Sequence, residues 1–166
     1  ENISINTVGN NWLPNKKIRI TGGDLKSRYL TFDGNDSLKP TKSYIREVIF
    51  NIIKVDQKMI SLDLFSGSGI LSAEAISRGI NKSLLVENNK KSYMKTKSEY
   101  SLLGIENYEI FNIDALRYLN TNKDTKYDLI FVIFPVKMVY VFDNIAHLDH
   151  QNCNDVNKVE WNSSSL

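Results

Sequence analysis

Between residues 59 and 134 the chain alternates four strand-length apolar runs with helix-like segments, and that alternation admits few folds. The first run covers residues 59–65 and ends in Ser66-Gly67-Ser68-Gly69. A helix is predicted over residues 70–78, with Gly79 as its stop. Residues 83–86 form a second run, ending at Glu87, and a lysine-rich helix over residues 89–103 is stopped by Gly104. Residues 108–111 form a third run, followed by Asp114 and a short helix to Leu119. The fourth run, residues 127–134, is apolar throughout after Asp128. Strands buried on both sides and joined by helices imply an α/β fold: a mostly parallel sheet with helices on both faces. Right-handed crossovers prune the remaining topologies.

Upstream of the alternation, residues 1–16 are Asn-rich and aperiodic and read as a loose leader. Residues 17–20 and 28–32 are short β-like runs flanking Gly22-Gly23, which predicts an N-terminal hairpin with a loose loop. Residues 33–39 read as a polar loop. Pro40-Thr41 opens a helix that Thr41 caps, with Tyr44, Ile45, Val48, Ile49, Ile52 and Ile53 along one apolar face.

Composition bounds the function. The 166 residues suit one domain, and 42% hydrophobic content suffices for a core. No apolar run reaches membrane-spanning length and no signal-peptide layout opens the chain, so no membrane partner is expected. The single cysteine, Cys153, excludes an internal disulfide framework and fits a reducing, cytoplasmic compartment. Net charge is only +2, but residues 15–58 carry ten Lys/Arg against five Asp/Glu. The positive charge thus sits in the N-terminal third, where a phosphate backbone is most readily met.

Asp63 with the glycine loop, Glu87 and Asp114 fall at the C-terminal ends of successive strands, the edge at which open α/β sheets bind ligands. The glycines let the backbone approach a ligand closely. Glu87 follows Gly67 by 20 residues, a distance that suits an acid holding ribose hydroxyls.

The run Asp63-Leu64-Phe65-Ser66-Gly67-Ser68-Gly69 resembles the cofactor motif of S-adenosylmethionine-dependent methyltransferases. Lys17-Ile18-Arg19-Ile20-Thr21-Gly22-Gly23, Lys39-Pro40-Thr41 and Ile45-Arg46-Glu47-Val48-Ile49-Phe50-Asn51 resemble the bacterial 16S rRNA guanine-N2 methyltransferases. The likeness covers about residues 17–132 and implies a Rossmann-like methyltransferase sheet. It implies that Phe65, Gly67, Ser68 and Gly69 border the methionine part of S-adenosylmethionine and that Asp63 orients its amino group. Glu87 would hold the ribose, and Asp114 with the backbone of Ala115 would meet the adenine. Arg19, Lys26, Arg28, Thr41 and Arg46 would serve the RNA side, the last two near the substrate entrance. The implied partner is 16S rRNA or a pre-30S particle, met by a monomer.

The same likeness implies Asp or Asn, then Pro-Pro, then an aromatic residue at the end of the fourth strand. Here stand Ile133, Phe134, Pro135 and Val136, so no catalytic residue is intact and only Pro135 matches. Ile133 has no side-chain acceptor for a target amine, and Val136 offers no ring to stack on a base. Residues 136–166 read as a divergent, poorly patterned tail, so the C-terminal strands are expected to be incomplete and one edge of the fourth strand uncovered. Such a break predicts a decayed or frame-disrupted coding sequence, or an incomplete gene model. The layout expected is thus leader 1–16, methyltransferase domain 17–135 and tail 136–166. The alternative function is a catalytically inactive cofactor- or RNA-binding remnant.

His147, His150 and Cys153 are spaced by three but lack a fourth ligand, and read as a polar tail rather than a metal site. Lys90, Lys91, Lys95 and Lys97 read as a solvated helix face. Trp12 and Trp161 take no role.

Overall fold

The structure is a computed structural model, and it describes residues 16–32, 40–134, 138–145 and 161–162. Strands β1 (Lys16–Arg19) and β2 (Tyr29–Phe32) form an antiparallel hairpin with its own two-stranded sheet. Helix α1 (Ser43–Ile52) leads into β3 (Ile60–Leu64), α2 (Ile70–Ser77), β4 (Lys82–Val86), α3 (Lys90–Leu103), β5 (Tyr108–Phe111), α4 (Ala115–Thr121) and β6 (Tyr127–Phe134). Strands β7 (Met138–Ile145) and β8 (Trp161–Asn162) complete a six-stranded sheet of order β5-β4-β3-β6-β7-β8. β3, β4, β5 and β6 run parallel, whereas β7 and β8 are antiparallel additions.

Side-chain alternation sorts the sheet into two faces. Leu62, Leu64, Val86, Ile130 and Val132 pack against Ala115 and Tyr118 of α4. Leu129 and Phe131 point the other way, to Ile49 and Phe50 of α1 and Leu71 and Ala75 of α2. Leu85 joins Ile70, Ala73 and Tyr100 under Ile18, Ile20, Leu30 and Phe32 of the hairpin. Helix α2 is therefore enclosed by the sheet on one side and by the hairpin and α1 on the other, which is why Ile70, Leu71, Ser72, Ala73, Glu74 and Ala75 are all buried. Ser61 and Ser83, paired in register and fully buried, satisfy each other at 2.7 Å.

The hairpin loop is docked, not loose. The Asp24 amide donates to the Ser77 carbonyl at 2.7 Å, and the Ser77 hydroxyl donates to the Gly22 carbonyl at 2.5 Å. Gly23 has φ +76°, and a Cβ there would lie 1.8 Å from the Ser77 carbonyl oxygen, so the close approach requires glycine.

Helix α1 also departs from expectation. Lys42 occupies the N-cap with no side-chain cap, and Thr41 instead gives its carbonyl to the Arg46 Nη1. The helix turns Arg46, Ile49 and Phe50 inward and leaves Tyr44, Val48 and Ile52 exposed. Ile45 and Ile53 of the expected stripe still pack beside Ile49, and the inward face also carries the buried Arg46 ion pair described below.

The far edge of β6 is covered. β7 pairs with it from Phe134↔Met138 to Tyr127↔Ile145, so the exposed apolar edge expected there is absent. The run Met138-Val139-Tyr140-Val141-Phe142 has the β-branched and aromatic content of a strand, a signal that reading 136–166 as unpatterned passed over.

Candidate cofactor site and hairpin surface

The ends of β3 and β4 meet at the glycine loop. Asp63 shares the α2-facing side of β3, because its neighbours Leu62 and Leu64 face α4. Its carboxylate is 3% exposed and accepts a hydrogen bond from the Ser72 hydroxyl at 3.0 Å. Burial pushes its pKa up to about 7; the bonds from Ser72 oppose the rise and the nearby Glu87 carboxylate adds to it.

Glu87 binds the loop directly. Its Oε2 accepts from the Gly67 amide and its Oε1 from the Asn89 amide, both at 2.7 Å. Asn112, just past β5, donates through Nδ2 to the carbonyls of Glu87 and Asn88 at 2.8 and 2.9 Å, which pins the acid's backbone. Helix α3 holds the loop from its other side. Thr96 Oγ1 donates to the Gly67 carbonyl at 3.1 Å, and the Tyr100 hydroxyl to the Gly69 carbonyl at 2.6 Å. Burial, with the Asp63 charge second, holds the Tyr100 phenol well above its ordinary pKa, so it remains a donor.

The loop's backbone is bent to match. Gly69 has φ +70°, and a Cβ there would meet Thr96 Cγ2 at 2.8 Å and the Tyr100 hydroxyl at 2.9 Å. Phe65 stands at φ 63°, a left-handed conformation that non-glycine residues adopt at a cost of about 1–3 kcal/mol, and its ring is half exposed at the mouth of the loop. The Ser66 hydroxyl is buried and has no hydrogen-bond partner among the described residues. At the third strand end, Asp114 Oδ1 accepts from the amides of Leu116 and Arg117 at 3.0 and 3.2 Å, capping α4 and burying Ala115.

The structure thus joins Asp63, Glu87 and the glycine loop through direct bonds or a shared neighbour, and sets Asp114 and Ala115 on the adjoining strand end. Ser72, Thr96, Tyr100 and Asn112, which hold these groups, were not singled out from sequence; a hydroxyl or amide within a strand-flanking element carries little signal before its partner is known.

Arg46 is corrected. It is 2% exposed, and its Nε donates to Glu74 Oε1 at 2.9 Å while Nη2 donates to the Arg19 carbonyl at 2.7 Å. It cannot reach RNA from there. Glu74 is the residue that sequence reasoning missed. Fully buried, it also accepts from the Thr21 amide and hydroxyl at 2.9 and 3.0 Å and pairs with Arg78. A single charge in a helix of apolar residues and serines was the available signal.

Arg19, Lys26 and Arg28 are exposed on the hairpin, whereas Thr41 is half-buried and committed to Arg46. Lys95 of the lysine-rich helix bonds Glu99 at 2.8 Å instead of pointing freely into solvent. Ile133 packs against the cluster of Ile49, Phe50 and Phe131. Pro135, Val136, His147, His150 and Cys153 lie outside the described residues.

Comparison with known proteins agrees with this geometry. Ribosomal RNA small subunit methyltransferase D of Buchnera aphidicola (strain APS) is 36% identical over 138 residues, covering 82% of this chain and 72% of that protein. The protein of the same name from Escherichia coli K12 is 31% identical over 134 residues, covering 80% and 67%. The solved structure of yhhF from Escherichia coli superposes with a TM-score of 0.63 at 30% identity, covering 72% of this chain and 65% of that one. The likeness does not stop at residue 135 as expected, since the family match continues to residue 157. Matched from residue 18 through the hairpin, the glycine loop and all three acidic strand ends, the chain belongs to the family described as Conserved hypothetical protein 95.

Proposed function

We infer that this chain is an S-adenosylmethionine-dependent rRNA methyltransferase, and we propose that it methylates the exocyclic N2 of a guanine in 16S rRNA. The observation that carries this reading is the buried Glu87, whose carboxylate at the second strand end holds the glycine loop through the Gly67 amide. A ribose acid and a backbone cradle are thereby built as one unit.

The residues present fit the cofactor. The buried Ser66 hydroxyl without a partner marks a polar lining that a ligand would complete, and the two carboxylates suit an ammonium group and ribose hydroxyls. Asp63 would accept from the amino group, Glu87 from the ribose, and Asp114 with the Ala115 amide would meet the adenine. Phe65, Ser68 and the glycines would border the methionine portion. When bound, S-adenosylmethionine supplies an electrophilic methyl group on its sulfonium.

The protein's remaining task is to orient the guanine amine, whose lone pair is delocalised into the ring. An acceptor at the end of β6 would localise that lone pair. Ile133 offers none, so the chain's own rate is expected to be low even though its cofactor residues are complete. Arg19, Lys26 and Arg28 would contact RNA phosphates. The protein would act as a monomer in the cytoplasm on 16S rRNA or a pre-30S particle; no helix among the described residues is long and apolar enough to cross a membrane.

The test pairs titration calorimetry with S-adenosylmethionine against transfer of labelled methyl groups to pre-30S particles. The reading requires cofactor binding, and methylation, however slow, at a guanine N2. Absence of cofactor binding by the folded chain overturns it.

A further inference from the structure

We propose that the solvent-facing side of the β1–β2 hairpin is a docking surface for unpaired RNA, with Tyr29 as a stacking platform for one base and Lys17 and Arg19 as its flanking phosphate contacts. This rests on the RNA-methyltransferase reading and specifies the form of RNA that the hairpin takes.

Alternation places the surface. Ile18 and Leu30 turn inward to the core, so Lys17, Arg19 and Tyr29 fall on the opposite side, and all three are exposed. Tyr29 keeps 49% of its surface in solvent. It stands directly across from Arg19 in the register. The Arg19 carbonyl and the Thr31 amide bond outward, to Arg46 and Glu99, so Arg19↔Tyr29 and Lys17↔Thr31 are pairs without mutual backbone bonds. In such pairs the side chains stand closest, with Cα atoms about 4.5 Å apart. The Arg19 and Tyr29 side chains thus leave the same face from adjacent positions.

The same bonds make the platform rigid. Arg46 closes the β1 edge, and Glu99 closes the β2 edge by accepting from the Thr31 amide and hydroxyl at 2.7 and 2.5 Å. A stacking surface fixed in advance loses little freedom when a base lands on it.

Charge identifies the occupant. Residues 16–32 carry five Lys/Arg against the single acid Asp24, and none of the five cations is ion-paired among the described residues. A polyanion fits this face. An aromatic ring discriminates further: only an unstacked base can lie on it, whereas a duplex presents sugar and phosphate.

The experiment measures binding of a labelled single-stranded RNA oligonucleotide, and of the same strand annealed to its complement, across a salt series. Tyr29→Ala should weaken single-strand binding about tenfold, leave duplex binding unchanged and keep the salt slope of the parent, because stacking releases no counterions. Tyr29→Phe should bind like the parent. Lys17→Ala and Arg19→Ala should weaken both RNAs and flatten the salt slope. If Tyr29→Ala binds the single strand as well as the parent does, or loses both RNAs equally, the platform is wrong while the enzymatic reading stands. If the parent binds S-adenosylmethionine but neither RNA, this proposal and the RNA substrate of the proposed function are both overturned, while the cofactor reading stands.

Discussion

Asp63 is where one residue's chemistry shows most directly in a measurement. Its carboxyl titrates near 7 in the folded chain against an ordinary value of 3.8, so the folded state binds the proton more tightly than the unfolded one. That contribution to stability is complete below about pH 3.8 and is lost as pH rises through about 7. If Asp63 holds the cofactor's amino group as proposed, cofactor binding should have the opposite slope, because an ammonium group pairs only with the carboxylate form. S-adenosylmethionine affinity should therefore rise with pH through 7, and calorimetry below that point should register proton release. Asp63→Asn should bind weakly and without this pH dependence; a parent affinity that is flat across the range would remove Asp63 from the amino group. Glu87 holds the Gly67 amide and, in the proposed reading, would also hold the ribose, so Glu87→Ala should weaken cofactor binding by at least the ~1.5–3 kcal/mol of a charged hydrogen bond. Unchanged calorimetric affinity in that variant would empty the pocket assignment.

At the scale of elements, the hairpin is held to the domain through buried charge as well as apolar packing. Arg46 from α1 and Glu74 from α2 meet beneath it, with Thr21 of the hairpin bound to the same carboxylate. Arg46→Met would leave the Arg19 and Thr41 carbonyls without this donor and Glu74 short of one cation. Breaking one side of a buried pair costs about 3–5 kcal/mol, and Arg78 remaining on Glu74 puts the expectation at the lower end. Urea denaturation of the parent and variant should show that loss; a difference under ~1 kcal/mol would mean that the network is not buried in solution. This network also explains what could not be read from α1 beforehand. Its apolar positions were visible in the sequence, but that Arg46 shares their inward face depends on a partner 28 residues away on another helix. The same holds for Thr41, a plausible cap by composition, whose carbonyl is taken by Arg46.

For the whole molecule, the strand–helix order from β3 to β6 and the three acidic strand ends were readable because period and position carry them, and they survive in the sheet. The bonds that hold the site, from Thr96, Tyr100 and Asn112, depend on contacts distant in the chain and were not. Strand β7 was readable but was obscured by the change of motif before it. That change separates the molecule into two functional halves. The residues proposed to hold the cofactor lie on β3, β4, β5 and the loops after them, whereas the target amine would be oriented beyond β6. Affinity and rate should accordingly come apart. The chain should bind S-adenosylmethionine about as tightly as the Escherichia coli K12 relative, yet transfer methyl groups about a hundredfold more slowly, the effect of one missing acceptor. Ile133→Asp alone should not repair this. Ile133 packs against Ile49, Phe50 and Phe131, so a carboxylate there enters an apolar cluster and should destabilise the fold. Adding Phe134→Pro and Val136→Phe should recover little, because catalytic groups need support to within about 0.5 Å. Single-turnover rates beside calorimetric affinities decide the matter: transfer by the unaltered chain at the relative's rate would show that another group accepts from the guanine amine.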